Sequence, residues 1–344
     1  MTASPQTRTG VLLVQLGTPD APRPREVRRY LREFLSDPRV LNMPGLARKL
    51  LLECVILPTR PRKSAAAYAK IWTQAGSPLM VHSVALKDGV AKALGDDFVV
   101  ELGMRYGQPG IASAIETLTD ADVDRLVVLP LFPQYSAATT ASVLARVQEE
   151  TARYWDVRPI VTIGDFYHDP AFIEAWRQVA AAALADYEAD HVLFSYHGLP
   201  ESQIQESDPS GSFCLAQDDC CARIRTANRH CYRAQCHRTT ALVADALGLD
   251  LERTSTSFQS RLGRTPWIRP YTDEIVNELR GRGVEHLAVL SPAFVADNLE
   301  TLEEIGMQLS EQWQGLGGKS LKLVPSLNAH PAWVEAVAGL VRRA

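Results

Sequence analysis

Short β-branched runs ending in Gly or Pro alternate along this chain with longer Ala-, Leu- and charge-rich stretches of helical period. That alternation limits the fold more than any other feature, because strands joined by helices pair in parallel, and parallel sheets need helices on both faces. The candidate strands are Val11–Leu16, Phe98–Leu102, Leu126–Leu131, Arg158–Ile163, His191–Ser195, Glu252–Phe258, Leu287–Ser291 and Leu321–Val324. Helical stretches between them include Gly110–Leu118, Ala141–Tyr154, Pro170–Ala189, Thr239–Leu247 and Thr272–Gly281. A length of 344 residues accommodates about two domains. An internal echo points the same way: Asp124–Pro130, then Phe132 and a helix, is mimicked by Glu285–Pro292, then Phe294 and a helix. Shared strand-to-helix grammar would produce that echo as readily as duplication. The expectation is an α/β chain of two halves, 1–164 and 165–344, divided near Gly164 and the His168-Asp169-Pro170 turn, with a cleft between them.

Hydrophobic residues make up 46% and charged residues 22%, with 21 glycines and 21 prolines, which excludes collagen-like and low-complexity classes. A net charge of −4 supplies no general attraction for nucleic acid, so a small partner is expected. The opening MTASPQTRTG lacks the apolar core of a secretory signal. No apolar run approaches the ~20 residues of a membrane span, and the expected location is cytoplasmic, in a monomer or homodimer. Met43 to Leu57 reads as one helix, apolar over a wide arc through Leu46, Leu50, Leu51, Cys54, Val55 and Leu57. Either it packs on a core, or it forms a lip that touches a membrane or a large apolar ligand.

Three constellations carry chemistry. His197 follows the apolar run His191–Ser195, at the strand edge where open α/β sheets bind ligands; there it acts as a base or metal ligand, or simply closes a turn. Asp297, Glu300 and Glu304 fall at i, i+3 and i+7 after another strand, close to one helical face, where carboxylates could relay protons or pass a cation. Asp297 and Glu300 also have the spacing of a capping box, a purely structural alternative. The third is the set Cys214, Cys220, Cys221, Cys231 and Cys236, five of the six cysteines, beside His230 and His237. Such clustering in a reducing compartment points to metal, with four thiolates for a [2Fe-2S] cluster or a structural zinc, and disulfides or free thiols as the remaining reading. The lack of Cys-x2-Cys pairs favours iron–sulfur over zinc, and Cys220/Cys221 is the ambiguous pair. Leu16-Gly17-Thr18-Pro19 is no phosphate loop, and no G-x-S-x-G elbow occurs, so nucleotide and acyl-hydrolase chemistry lack support.

With these segments assembled, the sequence resembles the ferrochelatases, the type I chelatases that insert Fe(II) into a porphyrin. The resemblance runs through Leu16–Pro19, Gly76-Ser77-Pro78-Leu79, Gly103-Met104-Arg105-Tyr106, Pro133–Ser136 with Thr139-Thr140, and Ser195–Pro200. It continues through Phe258–Gly263 with Trp267, Pro270–Glu274 and Asp297–Leu302, all in family order. It implies two Rossmann-like, chelatase-type domains, each a parallel sheet flanked by helices, with a porphyrin cleft between them and the C-terminal helix packed back on the first domain. It assigns catalysis and Fe(II) contact to His197 and Glu300, and the acidic row to Asp297 and Glu304. Substrate-binding positions are Leu16, Leu31, Phe34, Leu35, Tyr68, Arg105, Phe132, Ser260 and Trp267.

Metallating a porphyrin requires removing two pyrrole protons and stripping water from Fe(II), so a base, an acidic path and a flat apolar pocket fit the residues read from below. The resemblance also favours the lip reading of Met43–Leu57, with peripheral contact to the inner membrane. Animal members bind a [2Fe-2S] cluster through one internal and three C-terminal cysteines. Here Ala137 stands at the internal position and the tail has none, so the cysteines belong instead to an insertion at 208–236, as in a bacterial subgroup. Asn298 replaces a histidine of the animal members. Protoporphyrin IX is the expected substrate and coproporphyrin III the nearest alternative. The rivals are a cobalt or nickel chelatase, which would need more basic residues, and a non-catalytic iron–sulfur sensor, for which His197 and Glu300 would be dispensable.

Overall fold

A computed structural model describes residues 8–217, 219–261, 263 and 265–344. The reading of residues 1–7 as lacking a signal, and Leu262 within the Phe258–Gly263 motif, lie outside the described residues. Eight strands are present among the described residues: β1 (Thr9–Gly17), β2 (Phe98–Tyr106), β3 (Arg125–Pro130), β4 (Ile160–Thr162), β5 (His191–His197), β6 (Thr254–Gln259), β7 (His286–Leu290) and β8 (Ser320–Leu323). They build two four-stranded sheets, β2-β1-β3-β4 and β6-β5-β7-β8. Every neighbouring pair is parallel. Helices flank both sheets, as the alternation requires.

The chain divides into two compact units, the first made of residues up to Phe132 with Ala137–Asp165 and Asn328–Ala344, the second of Pro133–Ser136 and Phe166–Leu327. In the first unit β1 is central, and Val11, Leu12, Leu13 and Val14 are all fully buried, the continuous apolar run of a strand covered on both faces. Leu12, Val14, Ile115, Leu118, Val128 and Val147 belong to its core. Gly17 pairs with Tyr106 at a φ of +120°, and a Cβ there would lie 1.8 Å from the Tyr106 carbonyl oxygen, so only glycine permits this register. The Leu16–Pro19 motif is thus explained by close strand approach. The C-terminal helix Pro331–Arg343 packs on the helix Pro78–Leu94 of the same unit, where Val334 lies over Gly89.

Met43–Leu57 is not one regular helix. It comprises Gly45–Leu51, a π-helical turn Leu52–Ile56 and the start of a helix Leu57–Ile71. Leu52 and Leu57 are buried, whereas Leu46, Leu50 and Val55 are 74%, 55% and 55% exposed. The core-packed expectation therefore holds for the inner residues and fails for the outer apolar face.

In the second unit Leu193, Leu287, Val289, Ile305 and Trp313 form the core. Helix Pro170–Leu184 begins as its sequence demands, with Asp169 accepting hydrogen bonds from the Ala171 and Phe172 amides ahead of Pro170. Helix Tyr232–Ala246 starts seven residues before the expected Thr239, bringing Cys236 and His237 into it. The expected strand Glu252–Phe258 begins later, at Thr254, because Leu251–Arg253 forms a 3₁₀ turn capped by Asp250.

Candidate active site

In the second unit, β5 is buried from His191 to Tyr196 and opens only at its last residue, His197, at the carboxyl edge of the sheet. The ring is flanked by Trp267 and Phe294, with centroids 6.3 and 6.4 Å away. Nδ1 of His197 lies 2.6 Å from the Gly198 carbonyl oxygen. A carbonyl only accepts, so Nδ1 carries the hydrogen and the neutral ring presents its lone pair at Nε2. The following turn is clamped by Gly198 N–H donating to Gln259 O at 2.8 Å and Ile268 N–H donating to Leu199 O at 2.9 Å. A Cβ on Gly198 would sit 2.9 Å from Gln259 O and 3.1 Å from the Trp267 ring, so a side chain would force the clamp apart.

The capping-box expectation for Asp297 and Glu300 is corrected by one residue. Asn298 Oδ1 accepts from the Thr301 amide and Thr301 Oγ1 accepts from the Asn298 amide, each at 3.0 Å. Asp297 is buried and drawn elsewhere: its Oδ1 accepts from the Ser326 amide at 3.1 Å and the Thr301 hydroxyl at 3.2 Å. Glu300 is thereby left out of the cap. It opens a π-helical segment, Glu300–Leu309, a winding that concentrates at functional sites. Burial pushes the Glu300 carboxyl above the ordinary carboxylate range and Glu304 adds to that push, while a proton on the neighbouring His197 ring opposes it. Glu304 Oε2 accepts from Ser260 Oγ at 2.6 Å, and Ser260, the residue after β6, holds a left-handed φ of 68°. His197, Glu300, Glu304, Ser260 and Trp267 thus belong to one constellation, with Asp297 turned to a structural bond beside it.

The first unit carries the other expected contacts. Leu16, Leu31, Phe34 and Phe132 are half-buried, and Tyr68 is buried. Phe34 stacks near Tyr30 and Tyr106, with centroids at 6.0 and 5.1 Å, and Phe132 packs on the core of its unit. Arg105 is held inward. One Nη donates to Asp37 Oδ2 at 2.6 Å, Nε donates to Ser142 Oγ at 2.7 Å, and the guanidinium lies 4.5 Å from the Tyr106 ring centroid. Tyr106 Oη and Ser142 Oγ also donate to Asp37 Oδ2. Burial would raise the Asp37 carboxyl, but the bonds from Ser142, the Arg39 amide and Tyr106, with the Arg105 charge, bring it below its usual range. Sequence reading found Arg105 and missed Asp37 and Ser142, since nothing local marks pairs 68 and 37 residues apart.

The five clustered cysteines are all buried and none forms a disulfide. Cys220 and Cys221 sulfurs are 3.7 Å apart, and Cys231 acts on the thiols of both Cys214 and Cys221. Cys236 lies within the helix Tyr232–Ala246, where both Tyr232 and Cys221 act on its thiol. Asp208 braces the segment by accepting from the Phe213 and Cys214 amides at 2.7 and 2.8 Å, and Arg233 donates to Cys221 Sγ at 3.1 Å. Among the described residues no three His, Cys, Asp or Glu side chains are gathered as a ready-made metal site. The cofactor expectation therefore rests on the donor set alone, Cys214, Cys220, Cys221, Cys231 and Cys236.

Comparison with known proteins gives a consistent answer. A family model described as ferrochelatase matches residues 8–344. A curated ferrochelatase of Coxiella burnetii is 47% identical over 336 residues, covering 98% of this chain and 94% of its own. One of Legionella pneumophila is 46% identical over 334 residues, covering 97% and 98%. Among solved structures, the sirohydrochlorin chelatase SirB of Bacillus subtilis subspecies spizizenii in complex with cobalt aligns with a TM-score of 0.55 at 12% identity, over 98% of this chain and 95% of its own. SirB from Bacillus subtilis with Fe3+ gives 0.54 at 15%, with the same coverage. At those identities the structures speak for the fold.

Proposed function

The chain belongs to the ferrochelatase family, and on that premise we propose that it inserts ferrous iron into protoporphyrin IX, with His197 receiving pyrrole protons and the Glu300 and Glu304 carboxylates carrying them onward. In the net reaction Fe(II) replaces the two N–H hydrogens of the macrocycle, and two protons leave. A base with a lone pair aimed outward and an acid with raised affinity for a proton are what such a transfer needs. The observation that carries this reading is the His197 Nδ1 contact to Gly198 O, which assigns the lone pair to Nε2, beside a carboxyl that burial pushes up. Glu300, with His197, is also suited to take Fe(II) as substrate, since imidazole and carboxylate both bind divalent iron.

Leu16, Leu31, Phe34, Tyr68, Phe132 and Trp267 are the proposed apolar contacts of the macrocycle. Arg105 meets a propionate through the donors its pairing with Asp37 and Ser142 does not use. Ser260 and Asp297 act from behind, through Glu304 and the cap of the π-helical segment. The exposed Leu46, Leu50 and Val55, beside Arg48 and Lys49, form a face suited to lie on a membrane surface. No helix among the described residues is long and apolar enough to cross one.

A [2Fe-2S] cluster on Cys214, Cys220, Cys221 and Cys231 belongs to the same proposal. The Cys220–Cys221 contact and the influence of Cys231 on Cys214 and Cys221 support the ligand choice, with the Cys236 thiol turned in part to Tyr232. Such a cluster supplies one-electron chemistry and metal-coupled stability, neither of which metal insertion uses. Anaerobic metallation followed by porphyrin fluorescence, with protoporphyrin IX and coproporphyrin III in parallel, tests the function. Preferential turnover of protoporphyrin IX supports it; preference for coproporphyrin III reassigns the substrate, and no turnover of either refutes the enzyme.

A further inference from the structure

Gln259 ends β6 beside the two catalytic elements and touches both. Its carbonyl oxygen accepts from the Gly198 amide at 2.8 Å, next to His197. Its side-chain Nε2 lies 3.4 Å from both Glu304 Oε2 and the Glu300 carbonyl oxygen. An amide works this way in one orientation only, because the flipped group would set Oε1 against a carboxylate and a carbonyl.

A row of hydroxyls stands behind it, and that orientation sets the direction of the row. Ser195 Oγ lies 2.7 Å from Gln259 Oε1, Thr272 Oγ1 lies 2.9 Å from Ser195 Oγ, and Ser257 Oγ lies 2.8 Å from Thr272 Oγ1. All four side chains are buried, Ser195 and Ser257 completely. Each hydroxyl has one hydrogen. Since Oε1 only accepts, Ser195 must spend its hydrogen there; Thr272 must then donate to Ser195, and Ser257 to Thr272. Every donor in the row points toward Gln259, and the last, Nε2, faces Glu304. Neighbouring hydrogen bonds of one sense polarise each other in a low-dielectric interior.

We infer that Gln259 is a positioning residue for metal insertion, tying the His197 turn to the Glu300–Glu304 segment, and that the Ser257–Thr272–Ser195 row, aligned with its amide, holds that amide in place. The inference rests on the proposed role of the carboxylates and goes beyond it, since Ser195, Thr272 and Ser257 sit behind the sheet edge and need touch no substrate. The row moves no proton to the site: an amide interrupts it at Gln259.

The test compares Gln259→Leu, Thr272→Val, Ser195→Ala and the Gln259→Leu/Thr272→Val double variant by kcat, KM and the pH profile of zinc insertion into protoporphyrin IX. Thr272→Val keeps the volume and breaks the row, leaving Ser195 without its donor. A hydrogen bond to a charged group corresponds to about tenfold in rate. Gln259→Leu is expected to lower kcat about tenfold and displace the acid limb of the pH profile, with porphyrin KM little changed. Thr272→Val and Ser195→Ala displace that limb in the same direction, and Thr272→Val adds nothing in the Gln259→Leu background. Wild-type profiles for Thr272→Val and Ser195→Ala, or additive losses in the double variant, overturn the inference. Glu300→Gln serves as the control: full activity there removes the carboxylate reading and this inference with it, whereas its inactivity beside a wild-type Thr272→Val removes the inference alone. A merely structural role would lower thermal stability and leave the pH profile in place.

Discussion

Replacing Asp37 with Asn tests the reasoning about Arg105 most severely, because a single oxygen there serves several donors. Asp37 Oδ2 accepts from Arg105, Tyr106 and Ser142, while Oδ1 accepts from the Arg39 amide at 2.8 Å. Side-chain exposure is 3% for Asp37 and 16% for Arg105, so solvent screens the pair weakly. Either orientation of the Asn amide removes the negative charge, and one of them turns an NH2 toward three donors. Breaking a buried ion pair from one side costs about 3–5 kcal/mol. At about 2–4 °C per kcal/mol for a unit of this size, melting of the first unit should fall by roughly 6–20 °C. Tyr106→Phe, which deletes one neutral donor, should cost only about 1 kcal/mol. The assay is thermal and urea unfolding with amide exchange of β1 and β2 as the local reporter.

The pH dependence of that loss follows from the sign of the Asp37 shift. Its folded carboxyl titrates below the ordinary value, so its stabilisation is complete above the unfolded pKa of about 3.9 and is lost as pH falls through the folded one. The gap between wild type and Asp37→Asn should be full at neutral pH and close only in acid. A variant within about 1 kcal/mol of wild type at pH 7, or a gap that widens in acid, refutes the argument.

Three further outcomes are expected. Glu300→Gln should lower kcat by about 10²–10⁴; in the wild type kcat should fall in acid as Glu300 takes up its proton, above the ordinary carboxylate range, and that limb should vanish in the variant. Cys214→Ser and Cys231→Ser should abolish the visible thiolate-to-iron bands of anaerobically purified protein while Cys236→Ser keeps them; equal loss in all three contradicts the ligand choice. Leu46→Glu with Leu50→Glu, both on an exposed face, should leave the melting temperature unchanged and reduce sedimentation with anionic vesicles.

Sheet architecture was legible because the central strands β1, β3, β5 and β7 are apolar runs between turn residues, although β6, Thr254–Gln259, is largely polar. The strand cores were placed correctly, and the boundaries moved where capping decided them, as Asp250 did at Thr254. Helix Tyr232–Ala246 was read short, from Thr239, because its first turns carry Tyr232, Arg233, Gln235, Cys236 and His237 and show no clear apolar period. Around the site, His197 was visible from its place after a buried strand. The direction of its lone pair was not, since that depends on where the Gly198 carbonyl points. The capping-box expectation failed by one residue because a buried amide at Ser326 claims Asp297, a competitor 29 residues away. The same limit hid Asp37 and the Ser195–Thr272 row, whose members are brought together by packing alone.

The central claim is that His197 performs chemistry and does not merely hold the porphyrin. Single-turnover metallation with His197→Ala, with porphyrin affinity measured separately by fluorescence titration without metal, tests it directly. The account predicts a rate lowered at least about 10²-fold with affinity within a few-fold of wild type. A variant that metallates at the wild-type rate, or that loses affinity in proportion to rate, contradicts it.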